Sequence, residues 1–304
     1  MENNLQAPVQ TPVFDSEEKI QKAIKRQNVI KIITKVFIYI FLVIVAITTL
    51  FPFYWMLNTS FKTMDEYLLL VPTYFPKNFV FENYINAAQV NYFARDMLNT
   101  VIIAIVSTVL SMVVIILAAF AFARLEFKGK NLVFTILLAT MMVPGELFTI
   151  SNFATVANLG WTNSYTVLIV PFLVSIFYVY LLRNAFMQIP DSLYYAAKVD
   201  GTSDMKYLMK VMIPLASPTI TSIGILKVMG SWNSYIWPRL VNKDKNFQLI
   251  SNWLTNSFVD EQTNMTHFPM KMAGVVMVSL PLIIIFIFFR KYIMKGVSKS
   301  GIKG

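Results

Sequence analysis

The sequence predicts an all-α membrane protein with six transmembrane helices, and three observations predict it. The chain of 304 residues is 56% hydrophobic and only 14% charged, too apolar for an ordinary soluble domain. Its apolar residues fall in long blocks, and 36–61, 97–123 and 272–289 carry no charge. A helix needs about 20 apolar residues to cross the hydrocarbon core. Charge is also sorted. With both termini inside, the inner segments hold 18 of the 26 Lys and Arg and the outer segments hold 7. That is the positive-inside pattern, and it predicts cytoplasmic termini in a multi-pass protein of the plasma (inner) membrane. The net charge of +10 follows from this topology and does not point to nucleic acid.

The elements follow in order. Residues 1–35 read as a cytoplasmic tail, and 36–304 as the membrane domain. Residues 1–15 are expected to be disordered. Asp15 or Ser16 can then cap a helix carrying Lys19, Lys22, Lys25 and Arg26, either on anionic headgroups or in solvent. The first span, 36–56, begins too late for a cleavable leader. An outer segment, 57–96, has loop chemistry at Pro72, Pro76 and Asn78. The second span, 97–122, is joined to the third, 131–151, by a short basic turn, which makes an antiparallel hairpin. The uncharged run 147–182 is too long for one span. Asn158, Gly160, Thr162, Asn163 and Ser164 break it, and the fourth span is 163–182. The fifth and sixth are 218–240 and 271–290, separated by an outer segment. Trp55, Trp161, Trp237 and Trp253 fall at or beyond the outer ends, where amphipathic rings favour the interface.

Several chemistries are excluded or disfavoured. The chain has no cysteine, so it has neither a disulfide framework nor a thiolate metal site. The single histidine, His267, reads as a loop residue rather than a catalytic one. The nearest approach to a phosphate-cradling loop is Gly129-Lys130, but Asn131 follows it. No nucleophile and base are paired either, so the chain is not expected to be an enzyme or to bind ATP in the usual way.

The inner segment 190–214 is the most structured of the connections. Pro190 ends the preceding helix, and Asp191 or Ser192 can cap a new one. Ala196 and Ala197 keep that helix thin, so another surface can approach. Gly201 suits the left-handed position past a helix end. Ser203 caps again, Met205, Leu208, Met209 and Met212 recur at helical spacing, and Pro214 stops the second helix. Taken alone, this is either a docking hairpin or an amphipathic hairpin on the membrane surface.

Tyr195-Ala196-Ala197-Lys198-Val199-Asp200-Gly201, followed by Ile213-Pro214-Leu215, resembles the coupling ("EAA") loop of binding-protein-dependent ABC importers. Other segments are similar to the smaller permease subunit of maltose-type and multiple-sugar importers. They are Phe53-Tyr54-Trp55, Phe75-Pro76-Lys77-Asn78-Phe79, Leu98-Asn99-Thr100, Ala118 to Arg124, Met142-Val143-Pro144, Gly230-Ser231-Trp232-Asn233, Lys295-Gly296 and Gly301-Ile302-Lys303-Gly304.

The resemblance implies a permease subunit of a bacterial carbohydrate importer. Its expected partners are a homologous second permease, two ATPase subunits and an extracellular solute-binding protein. ATP and Mg would sit on the ATPases, with no cofactor in this chain. It also assigns ATPase coupling to Tyr194, Tyr195, Ala196, Ala197, Asp200, Gly201, Ile213 and Pro214. The family usually carries an acid where this chain has Tyr194 and Tyr195, so the usual ion pair is replaced by a ring and a hydroxyl.

Charged residues inside spans are functional suspects. Lys227 in span five and Glu146 in span three stand out, and Lys227 either meets a buried acid or faces a cavity. Sugars present apolar faces and a hydroxyl rim. Trp232, Asn233 and Tyr235 offer the matching chemistry, with Phe172 and Tyr178 in span four as weaker candidates. These rings can equally be packed or lipid-facing. The solute can also be anionic or not a sugar. An ATP-independent secondary transporter would leave the inner hairpin unexplained.

Overall fold

The computed structural model describes residues 14–259 and 265–298, and every regular element among them is helical. The closing residues 299–304, and any disorder in 1–13, lie outside the described residues. The chain divides into two units, one ending at Met56 and one beginning at Leu57.

The first unit is the bulk of helix α1, Phe14–Ser60. The expected boundary near residue 35 is not a break in the helix, because no Gly or Pro occurs between Phe14 and Pro52 to stop it. Asp15 and Ser16 lie inside its first turn and are not caps. Within the apolar stretch Thr48 and Thr49 donate to the carbonyls of Ile44 and Val45 at 2.8 and 2.7 Å, so their hydroxyls need no water. Trp55 stacks on Phe51 at 5.9 Å.

The second unit is built around α3 (Phe93–Arg124), preceded by α2 (Glu82–Gln89). At 32 residues α3 is about 48 Å long, more than the roughly 30 Å hydrocarbon core. Three segments follow as bent helix pairs. They are α4 and α5 (Lys130–Thr140 and Gly145–Asn158, 82°), α6 and α7 (Thr166–Phe172 and Ile176–Met187, 45°), and α9 and α10 (Asp204–Leu215 and Ser217–Trp232, 82°). Between the last two pairs lies α8, Asp191–Val199. The chain then runs through α11 (Ile236–Val241) and α12 (Ile250–Asn256) to α13 (Phe268–Ser298). Among the described residues three helices are long and apolar enough to cross a membrane, or up to six segments if each bent pair counts as one.

Two differences from the expected spans have local causes. The stretch 131–151 bends at Pro144, whose ring supplies no amide donor. The stretch 218–240 is not one helix, because α10 ends at Trp232 and α11 is separate. Pro238 cannot donate to the carbonyl of Ser234, which instead accepts from Ser251 Oγ at 2.6 Å.

α3 packs against α7 and α10, and α10 against α13. Near its N-terminal end Asn99 Nδ2 donates to the carbonyls of Asn246 and Gln248 at 2.9 and 3.0 Å. Tyr165 hydroxyl donates to Asn99 Oδ1, and Thr100 Oγ1 accepts from Ile250 N. The Leu98-Asn99-Thr100 motif is therefore a clasp on the segment that joins α11 to α12. Trp237 and Trp253 are buried packing residues rather than exposed interfacial anchors. Trp237 Nε1 donates to Val167 O, and Trp253 packs against Phe93 and Phe258.

Candidate functional site

Two features stand out: a helical hairpin at the predicted inner side and a small cavity among α3, α6, α7, α10 and α11.

The hairpin consists of α8 and α9. Its turn is closed by backbone alone. Gly201 has φ +69°, Gly201 N donates to Lys198 O at 3.0 Å, and Thr202 N donates to Ala197 O at 2.8 Å. These two bonds form a Schellman closure, which needs a left-handed residue at the Gly201 position. Ser203 Oγ then accepts from Lys206 N and caps α9. At the other end Asp191 opens α8, with Pro190 in the capping position and no side-chain cap. α9 passes through a π turn, Leu208–Met212, before Ile213 and Pro214. Pro214 does not stop it. The widened turn accommodates the proline ring, and the chain turns by 82° only at Ala216.

Tyr194 and Tyr195 are not equivalent. Tyr194 points back into the hairpin. Its hydroxyl donates to Asp204 Oδ1 at 2.8 Å, and its ring lies 5.1 Å from that of the buried Tyr207. Lys198 pairs with Asp204 at 2.7 Å. The hydrogen bond from Lys198, helped by the one from Tyr194, holds the Asp204 carboxyl below the usual carboxylate range. Burial, then the bond to Asp204, pushes the Tyr194 hydroxyl up. Tyr195, by contrast, is 63% exposed. Leu193, Ala196 and Val199 are exposed too, at helical spacing, with Val199 at 88%. Ala197 lies on the inner side of α8, packed on the same core as α3 and α7. The hairpin thus has one face in the core and one apolar face open.

A buried arginine ties this hairpin to the bundle. Arg124, the last residue of α3, donates Nη2 to the carbonyls of Phe186 and Ile189 at 2.8 and 2.5 Å, and Nη1 pairs with Asp191 Oδ1 at 2.9 Å. One guanidinium therefore joins the end of α3, the end of α7 and the first residue of α8. In the sequence Arg124 is marked only as the last residue of the Ala118 to Arg124 motif. The available signal was a cation closing a long uncharged run beside an inner loop.

The cavity, of about 280 Å³, is lined by Lys227, Ser107, Ser231, Ser234, Phe172 and Tyr178 among others. Lys227 Nζ donates to Phe172 O at 2.9 Å, and Ser111 Oγ donates to Leu173 O at 2.8 Å. Both carbonyls belong to the break between α6 and α7, where helical partners are missing. Of the expected pathway residues, Lys227, Phe172 and Tyr178 line this cavity. Trp232 is buried and donates Nε1 to Val278 O at 3.3 Å. Asn233 is exposed, Tyr235 accepts from Arg239, and Glu146 is exposed on the turn that opens α5. Ser107 and Ser111 were not singled out from the sequence. Their four-residue spacing on an apolar helix was the signal.

Residues 111–299 match the family model described as binding-protein-dependent transport system inner membrane component. The arabinooligosaccharides transport system permease protein of Bacillus subtilis is 31% identical over 270 residues, covering 87% of this chain and 94% of that protein. A diacetylchitobiose uptake system permease protein of Streptomyces coelicolor is 27% identical over 261 residues, covering 85% of this chain and 86% of that protein. Among solved structures, a chain of a bacterial ABC transporter involved in the import of the acidic polysaccharide alginate superposes with a TM-score of 0.75. It is 23% identical and covers 93% of this chain and 99% of that one, a likeness of fold.

Proposed function

The chain belongs to the family of binding-protein-dependent transport system inner membrane components, and we propose that it is a permease subunit of an ABC importer for a sugar or oligosaccharide. The observation that carries this reading is the family match across α8 and α9, together with the sugar-transport names of relatives that align along most of the chain.

In this reading both termini are cytoplasmic, and a second, homologous permease completes the pathway. Two ATPase subunits bind ATP and Mg, and an extracellular solute-binding protein delivers the sugar. This chain has no ATPase site of its own. The open face of α8, with Leu193, Tyr195, Ala196 and Val199, docks in a groove of an ATPase. Asp200 and Gly201 shape the turn beside it, and Ile213 and Pro214 lead the chain back to the membrane. ATP-driven closure of the ATPase dimer moves α8. Arg124 transmits that motion to α3 and α7, because the three share one guanidinium. Alternating access of the cavity then follows from rearrangement of the bent pairs.

The test is subunit composition. An affinity tag on this chain, expressed with its neighbouring transport genes, is expected to retain a second permease and an ATPase in mild detergent. Recovery of the chain alone, in a form that still carries sugar across liposomes, would reject the reading.

A further inference from the structure

We propose that the cavity around Lys227 binds the carboxylate of an acidic sugar. The inference rests on the sugar-importer reading and narrows its substrate class.

Lys227 sits within α10, a helix with no other ionisable group. A lysine at such a depth either snorkels to the interface or meets a partner. Its ammonium does not run out along the helix to the interface, because it is held 2.9 Å from Phe172 O on the lining of this cavity, in a half-buried position. That bond uses one of three donors and leaves the charge uncompensated. Among the described residues lining the cavity there is no Asp or Glu.

The rest of the lining has the chemistry of a carbohydrate site. Ser107, Ser231 and Ser234 supply hydroxyls, and Phe172, Tyr178 and Trp237 supply ring faces and edges. Ser107 and Ser231 Oγ lie 3.4 Å apart, so both can turn to a ligand with little loss. At about 280 Å³ the space falls just below the range of cavities that hold whole ligands, about 300 to 1,000 Å³. It suits one sugar residue of a longer chain. Three hydroxyls and aromatic rings would serve a neutral sugar. The cation adds what only an anionic sugar can complete, an ion pair with its carboxylate.

The experiment uses the complete detergent-purified transporter. Equilibrium binding is measured for disaccharides of glucuronate, galacturonate and mannuronate, and for their carboxyl-reduced counterparts. The parent is expected to bind at least one uronate roughly tenfold or more tighter than its reduced counterpart. Lys227→Gln keeps a donor for Phe172 O and removes the charge, and it should erase that preference, whereas Lys227→Arg should keep most of it. Four outcomes of the binding and assembly measurements would overturn the proposal: no uronate binds, reduced forms bind equally, the preference survives in Lys227→Gln, or Lys227→Gln alone fails to assemble with the second permease. The last would assign the charge to a carboxylate of that subunit. ATP-driven sugar uptake, measured in parallel, tests the importer reading itself. Uptake confined to neutral sugars would reject the acidic class and leave the importer standing.

Discussion

Replacing Arg124 is expected to disconnect the inner hairpin from the bundle. The side chain is buried and holds two carbonyls and one carboxylate. In Arg124→Met the carboxylate of Asp191 suffers little, because its side chain is 69% exposed and water can replace the guanidinium. The carbonyl of Phe186 keeps the amide of Ile189 at 3.2 Å, but that of Ile189, a buried residue, has no such recourse. An unsatisfied buried polar group costs about 1–3 kcal/mol, so the local loss is about 1–3 kcal/mol. A second comparison sharpens the claim. Asp191→Asn removes only the exposed contact and leaves both carbonyl bonds, so it should cost roughly 1 kcal/mol or less. Arg124→Lys should fall between, since one ammonium cannot reproduce the planar fork. The assay is the ratio of sugar transported to ATP hydrolysed in proteoliposomes, with subunit retention as control. Arg124→Met is expected to lower that ratio by tenfold or more, with Asp191→Asn near the parent. Equal ratios for Arg124→Met and the parent, or a greater loss in Asp191→Asn, would refute transmission through the guanidinium.

Other expectations follow from the same hairpin. A Cβ at Gly201 would meet nothing within 4 Å, so Gly201→Val should act through its φ of +69° alone. It should cost about 1 kcal/mol or more and reduce transport while membrane insertion persists, as followed by uptake and membrane fractionation. Tyr195→Ala should weaken ATPase retention more than Tyr195→Phe, because the open face contributes area rather than charge. A packed aromatic is worth about 3–5 kcal/mol in a core and less at a wet interface, and co-purification across a salt series reads the difference. The Asp204 contacts should be pH-dependent at the acid end only. Its folded pKa is depressed, so its contribution is full above the ordinary value of about 3.9 and is lost as pH falls through the lower folded value. Amide exchange at Gly201 and Thr202, corrected for intrinsic rate, should be unaffected between about pH 5 and 8 and accelerate below about pH 4, with Asp204→Asn abolishing the step.

Much of this architecture was legible because bilayer physics is coarse. Uncharged runs of span length announced α1, α3 and α13, and the turn chemistry of Pro190, Gly201 and Ser203 announced the inner hairpin. The bends were harder. Pro144 and Pro238 are visible in the sequence, but whether a proline kinks or ends a helix depends on which side chain takes the orphaned carbonyl. Ser251 does so for Ser234, and it comes from a distant segment. The site was legible in part for the same reason. Lys227 was conspicuous as a charge in a span, yet its partner is a backbone carbonyl exposed by a break 55 residues away. Trp232 had the right chemistry and the wrong direction, since α10 turns it toward α13. The difference between Tyr194 and Tyr195 also lay beyond the sequence. Adjacent helical residues diverge by about 100°, and only packing decides which one faces Tyr207.

The source of energy for transport is what separates an ATP-driven permease from a secondary transporter. The measurement is uptake of labelled neutral and acidic oligosaccharides into proteoliposomes containing this chain, its second permease and the ATPase subunits, with binding protein outside and ATP either enclosed or omitted. Uptake that requires enclosed ATP, and that falls in Tyr195→Ala, is the predicted result. Equal uptake without ATP, or by this chain alone, would contradict it.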